Sequence, residues 1–218
     1  EPENLELYWS YGNIYIEKEL AYYALEKLIT DLDITIEGTN IHFIAGQNYY
    51  KKGLYSKAIE ELIDGFKIES GNFSALILLG TIYILEKNFK EAIIVFEDAL
   101  MLDQSNINLY TAIGYTFYMA NSYEEAINIL NKILKFSEKS DYVYIWIANS
   151  YYKMGNYEEA LKYYKLSLTS KANKALLLGR KALIHNILNN KKAVKEFLLL
   201  ANKESSDFLE KSRLKKVL

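Results

Sequence analysis

The stretch FSALILLGTIYILEKNFKEAIIVFEDALMLDQSN, Phe73 to Asn106, decides the fold. It holds two helical patterns separated by a short break at Lys87-Asn88. In the first, Leu76, Leu79, Gly80 and Tyr83 fall at helical spacing. In the second, Ala92, Phe96 and Ala99 recur every three to four residues on one face. The small residues Gly80, Ala92 and Ala99 let two helices approach closely, with Tyr83 and Phe96 filling the space beside them. A lone helical hairpin of this kind cannot bury both its faces, so it needs copies on either side.

The copies are present at a step of 34 residues. From Gly80 the step reaches Gly12, Gly46, Gly114, Ala148 and Ala182. From Tyr83 it reaches Tyr15, Tyr49, Phe117, Tyr151 and His185, and from Ala92 it reaches Ala24, Ala58, Ala126, Ala160 and Val194. The step also fixes the corners. Gly53 falls between the two helices of its repeat, where a positive φ suits Gly or Asn, and the matching positions are Lys87, Asn121, Gly155 and Asn189.

The pattern resembles the tetratricopeptide repeat (TPR), a family with a small residue at repeat position 8, an aromatic at 11, Ala at 20, a large apolar residue at 24 and Ala at 27. The resemblance implies an all-α, right-handed α-solenoid of six helix-turn-helix repeats. These occupy residues 5–38, 39–72, 73–106, 107–140, 141–174 and 175–208, after a frayed end at residues 1–4. The first repeat is the most degenerate, with Asp31 where Ala is usual. At the other end, Asp207-Phe208-Leu209-Glu210 has the form of an N-cap with Glu three positions on, which predicts a separate C-terminal capping helix over residues 207–218.

Composition narrows function mostly by exclusion. Cysteine is absent, which removes disulfides, thiolate chemistry and zinc sites built on Cys. No run of about 18 apolar residues exists, so no transmembrane segment is expected. The net charge of -2 gives no overall field for nucleic acid. That charge is uneven, however: residues 171–218 carry 12 Lys plus Arg against 4 Asp plus Glu. The abundance of Asn, Ile, Lys and Tyr fits an AT-rich, bacterial genome. The chain starts at Glu1, so a leader could have been removed. A cytoplasmic protein is favoured on this reading, with an exported or membrane-tethered one as the alternative.

Catalytic signatures are missing. His42 and His185 stand at packed positions of different repeats and are expected to be packing residues. No HExxH, GxSxG, Walker or GxGxxG sequence occurs. Neighbouring acids such as Glu158-Glu159 diverge by about 100° on a helix and do not converge on a substrate. No enzyme, cofactor or metal is expected.

The resemblance places the binding surface on the first helix of each repeat, at positions 2, 5, 9, 12 and 13, facing a concave groove. Those positions give Trp9, Asn13 and Ile16; Phe43, Gln47, Tyr50 and Lys51; Ile77, Thr81, Ile84 and Leu85; Thr111, Tyr115, Tyr118 and Met119; and Tyr142, Ile145, Asn149, Tyr152 and Lys153, with Trp146 beside them. Large apolar and aromatic side chains in one strip predict a hot-spot surface for a protein partner. The amides of Asn13, Gln47 and Asn149 suit a peptide backbone. The expected role is a scaffold or adaptor that binds an apolar peptide or helix. The alternatives are a self-associating structural module, with a homo-oligomer as its product, or a TPR fragment of a larger envelope or assembly protein. TPR readers of chaperone tails hold a terminal carboxylate with Lys, Asn and Arg spread over three repeats. Asn13 matches one such position, but Ile44, Ser74 and Leu78 stand where the next should be. Starting at Asn149 instead puts Arg180 in the wrong repeat, so no such clamp is expected.

Overall fold

The computed structural model describes residues 40–136, 141–167 and 174–214. They fall into two compact units, residues 40–136 and residues 141–214, and every described element is a helix. The first repeat and its candidates Trp9, Asn13 and Ile16 lie outside the described residues.

The first unit contains α1 (Ile41–Lys51), α2 (Tyr55–Ile68), α3 (Phe73–Leu85), α4 (Phe89–Leu102), α5 (Ile107–Met119) and α6 (Tyr123–Phe136). They pack as three hairpins, α1 on α2, α3 on α4 and α5 on α6. Successive hairpins touch through α2 on α3 and α4 on α5. The second unit contains α7 (Asp141–Lys153), α8 (Tyr157–Leu166), α9 (Lys174–Ile187) and α10 (Lys191–Leu214), with α7 on α8, α9 on α10 and α8 against α9.

The starts and corners of the helices follow from particular residues. Asn72 and Asn106 cap α3 and α5, their side-chain oxygens accepting from the backbone N–H of Ala75 and Leu109 at 3.0 Å. Asn40 does the same for α1, accepting from His42 at 3.1 Å. The corner within each described hairpin turns through one left-handed residue: Gly53 (φ 71°), Lys87 (61°), Asn121 (61°), Gly155 (78°) and Asn189 (56°). At each corner this residue donates back three positions and the next residue donates back five. In the α3–α4 hairpin these bonds are Lys87 to Ile84 (3.0 Å) and Asn88 to Tyr83 (2.8 Å), the two bonds of a Schellman motif.

Close approach inside each hairpin depends on the glycine column. A Cβ on Gly114 would stand 2.7 Å from Cγ and Cδ2 of Leu130, and one on Gly80 would collide with the Phe96 ring. The facing alanines Ala58, Ala92, Ala126 and Ala160 are fully buried. Large residues at position 24, namely Leu62, Phe96, Leu130 and Tyr164, therefore lie directly over the small ones at position 8, so the 34-residue columns are packing columns.

At the C-terminal end the structure differs from the expected break. α10 runs without interruption from Lys191 to Leu214, through Asp207. Residues 191–214 contain neither Gly nor Pro, so the cap-like sequence at Asp207 has nothing to stop the preceding helix and is absorbed into it.

Candidate functional site

Much of the expected groove lining lies inside the protein. Phe43, Ile77, Thr81, Ile84, Tyr115, Tyr118, Ile145, Trp146 and Asn149 are all buried. The expectation that these side chains form an open strip is corrected, and three physical reasons account for it. Phe43 packs on Phe66, ring centroids 4.9 Å apart, and fills the space left by Gly65. The helix α3 is apolar on all sides, and such a helix is enclosed on all sides: its buried set runs from Ala75 to Ile82 without a gap and includes Ile84. Polar members of the strip turn inward as well. Thr81 donates to the Ile77 carbonyl at 2.8 Å, which satisfies its hydroxyl within the helix.

What remains at the surface is narrower. Gln47, Tyr50 and Tyr152 are half-buried, as is Thr111, whose hydroxyl donates to the Ile107 carbonyl at 2.9 Å. At the next position along, the last residue of each first helix, Lys51, Leu85, Met119 and Lys153 are exposed. Leu85 and Met119 keep 41% and 37% of their surface. The side chain of Tyr142 lies outside the described residues.

A tyrosine pair brackets three of the corners. Tyr50 meets Tyr55 (6.0 Å between centroids), Tyr118 meets Tyr123 (5.6 Å) and Tyr152 meets Tyr157 (5.7 Å). Burial, and secondarily Tyr55, pushes the Tyr50 phenol above its usual value, so it stays a neutral donor at physiological pH. Burial, then Glu91, does the same to Tyr83.

The second unit contains a polar centre that joins Asn149 and Arg180, which the sequence analysis weighed only as a carboxylate clamp, to Tyr164. Tyr164 on α8 donates to Oδ1 of Asn149 on α7 at 2.5 Å. Arg180 on α9 donates through Nη1 to the same oxygen at 2.8 Å and to the Tyr164 hydroxyl at 3.1 Å. All three side chains are buried. Lys181, next in sequence, is also buried, with Nζ 5.4 Å from the centre of the Phe197 ring, on which His185 also stacks. Burial, then Lys165, lowers the Lys181 pKa. A sequence signal for Arg180 existed. Its column otherwise reads Ser10, Ile44, Leu78, Ala112 and Trp146, so a guanidinium there follows four apolar residues in succession. Of the two histidines, His185 stacks on Phe197 with its buried Nδ1 lacking a hydrogen-bond partner, and half-buried His42 holds Nδ1 2.8 Å from Glu61 Oε2. Among the described residues no group of three or more His, Cys, Asp or Glu could hold a metal ion, and no helix is long and apolar enough to cross a membrane.

Comparison with known proteins agrees with this architecture. The family model described as anaphase-promoting complex, cyclosome, subunit 3, matches residues 85–167. A solved structure of YrrB, described as a TPR protein with an unusual peptide-binding site, superposes with a TM-score of 0.62 at 17% identity, covering 88% of this chain and 97% of that one. The chain has the tetratricopeptide-repeat (TPR) fold. Two structures of MamA are also similar to this chain at 18% identity. One has a TM-score of 0.70 over 78% of this chain and 93% of that one, and the other has 0.68 over 76% and 96%. No curated protein matches the TPR chain in sequence.

Proposed function

We propose that this chain is a non-enzymatic adaptor that holds an apolar peptide or helix of a protein partner against the first helices of its hairpins. The observation that carries the reading is the pair Leu85 and Met119. Both are large apolar residues, exposed at the same repeat position on consecutive hairpins of residues 40–136. Gln47 and Tyr50, half-buried on α1, add an amide and a phenol at the neighbouring positions. The buried residues of the same helices set the spacing and rigidity of the surface, so the partner bears most of the ordering cost on binding. The peptide-binding site named for YrrB is consistent with such a use of the fold. A bound segment would place apolar side chains on Leu85 and Met119 and offer backbone groups to Gln47.

Selection of a displayed library of random peptides against the full chain tests this. The selected peptides should be rich in apolar residues, and Leu85→Glu and Met119→Glu should each weaken them by about tenfold, the loss of one buried apolar contact. Selected peptides whose affinity survives both substitutions would place the binding surface elsewhere.

A further inference from the structure

The earlier hairpins show what the outer face of α10 is shaped to receive. On α1 and α2 the seat for the next helix is built from Tyr50, Tyr55, Ala58, Ile59 and Leu62, which share one apolar core with Ala75, Leu78, Leu79 and Ile82 of α3. The 34-residue step carries that seat to Asn186, Lys191, Val194, Lys195 and Leu198. Those residues, together with Leu199, line an open cleft of about 300 Å³ on α9 and α10. Its floor is less covered than the equivalent floors. The alanines in the Val194 column and the large residues in the Leu198 column are fully buried in the preceding described hairpins. Val194 and Leu198 are only half-buried, and Leu199 keeps 64% of its surface. α10 continues as one helix to Leu214, so among the described residues no further helix follows to fill the cleft.

The rim has changed character while the floor has stayed apolar. Where Asn186 stands, the earlier hairpins have Tyr50, Ile84, Tyr118 and Tyr152. Where Lys191 stands they have Tyr55, Phe89, Tyr123 and Tyr157, and where Lys195 stands they have Ile59, Ile93, Ile127 and Leu161. Asn186 and both lysines are exposed. The lysines are four residues apart, so they lie side by side on one face of α10. The lining contains no acid, and Glu196 lies outside it. Cations at this place also work against the helix, whose N-terminal end favours carboxylates. The helices α4, α6 and α8 begin with Glu91, Glu124-Glu125 and Glu158-Glu159, whereas α10 has no acid in its first turn and begins Lys191-Lys192. Acids would solvate an outer face equally well, so the choice of lysine points to an anionic occupant. We infer that this cleft docks an acidic amphipathic helix of a partner protein, seated as α3 is seated on α2. The partner's apolar residues fall at i, i+3, i+4 and i+7, the spacing of Ala75, Leu78, Leu79 and Ile82, and cover Val194, Leu198 and Leu199. Carboxylates flanking that stripe meet Lys191 and Lys195. The site shares no residue with the Leu85 and Met119 surface, so either can fail without the other.

A displayed library of helical peptides, selected against the full chain, tests the proposal. Its four stripe positions vary among apolar residues, and its flanking positions vary between Glu and Lys. Clones whose binding is lost in Leu85→Glu are set aside as belonging to the other surface. Among the rest, the parent should enrich Glu over Lys at the flanks by about fivefold, and the double variant Lys191→Glu, Lys195→Glu should invert that preference. Glutamate at 191 suits the start of a helix, so this variant keeps the fold. The double variant Lys90→Glu, Lys132→Glu changes net charge equally at exposed sites elsewhere and should leave the preference as in the parent. No preference on the parent, or the same preference on the Lys191, Lys195 variant, overturns the proposal. Concentration-dependent dimerisation of the parent that this variant loses would assign the cleft to a second copy. Sedimentation with phosphatidylserine vesicles that it loses would assign the cleft to a lipid surface. Either result overturns the partner helix.

Discussion

Lys87 sits at the corner of the central hairpin with a φ of 61°, where the equivalent corners use Gly53 and Gly155. An L side chain in the left-handed region costs about 1–2 kcal/mol, and glycine gives back part of that through its larger unfolded-state freedom. Lys87→Gly should therefore stabilise the chain by about 0.5–1 kcal/mol, and Gly53→Ala should destabilise it by about 1 kcal/mol. Both are read from the midpoints of urea unfolding. Gly80 makes the opposite point about space. Alanine raises helix propensity by about 1 kcal/mol, but its methyl would meet the Phe96 ring, and overpacking of this kind costs about 1–3 kcal/mol. Gly80→Ala should be net destabilising, and Phe96→Leu placed on top of it should recover part of the loss. An unchanged midpoint in Gly80→Ala would mean that the two helices can separate without cost.

At the level of elements, the connection between α4 and α5 is a relay of side chains. Asp103 accepts from the Ser105 hydroxyl (2.9 Å) and from Nδ2 of Asn106 (3.0 Å), which leaves the Asn106 oxygen aimed at the N–H of Leu109. Asn106→Ala should cost about 1 kcal/mol through the lost cap. The bonds from Asn106, and then from Ser105, hold the Asp103 carboxyl below its usual pKa. A depressed folded-state pKa means stability that is present above the ordinary aspartate value and lost as pH falls through the folded one. The chain should therefore lose stability in that acidic window, and Asp103→Asn should flatten this part of the pH profile by lowering stability at neutral pH towards the acid value. The corners were legible in the sequence because each depends on one residue, whereas the asparagine caps were not read there. All five left-handed positions fall where the 34-residue step puts them. The end of α10 was not legible, since a cap at Asp207 competes with the helix running into it, and no local residue decides that contest.

For the molecule as a whole, the two units and their repeated hairpins predict graded rather than uniform stability. Gly80→Ala should speed hydrogen exchange across α1–α6 and leave α7–α10 close to the parent. Equal acceleration in both would show that the chain unfolds as one block. The candidate site was harder to read than the fold at this scale. Periodicity assigns each residue to a row, but which rows stay open depends on what other segments press on them. Ile77 and Leu85 stand in the same helix, one enclosed and one exposed. The unbroken apolar run of α3 was the warning that little of it would face water. Arg180 was weighed only against a clamp pattern, when its place in an apolar column was the stronger signal.

Because every corner has the same left-handed geometry at the same interval, the chain is divisible into interchangeable cassettes. Excising residues 88–121 would join Lys87 to Ser122 and leave one intact corner, with Gly80 now facing Leu130, a pairing equivalent to the native Gly114 and Leu130. A shortened protein made this way should fold, whereas a cut a few residues longer or shorter should not. Unequal crossing-over in a gene of this kind can then lengthen or trim the array without inventing a new junction.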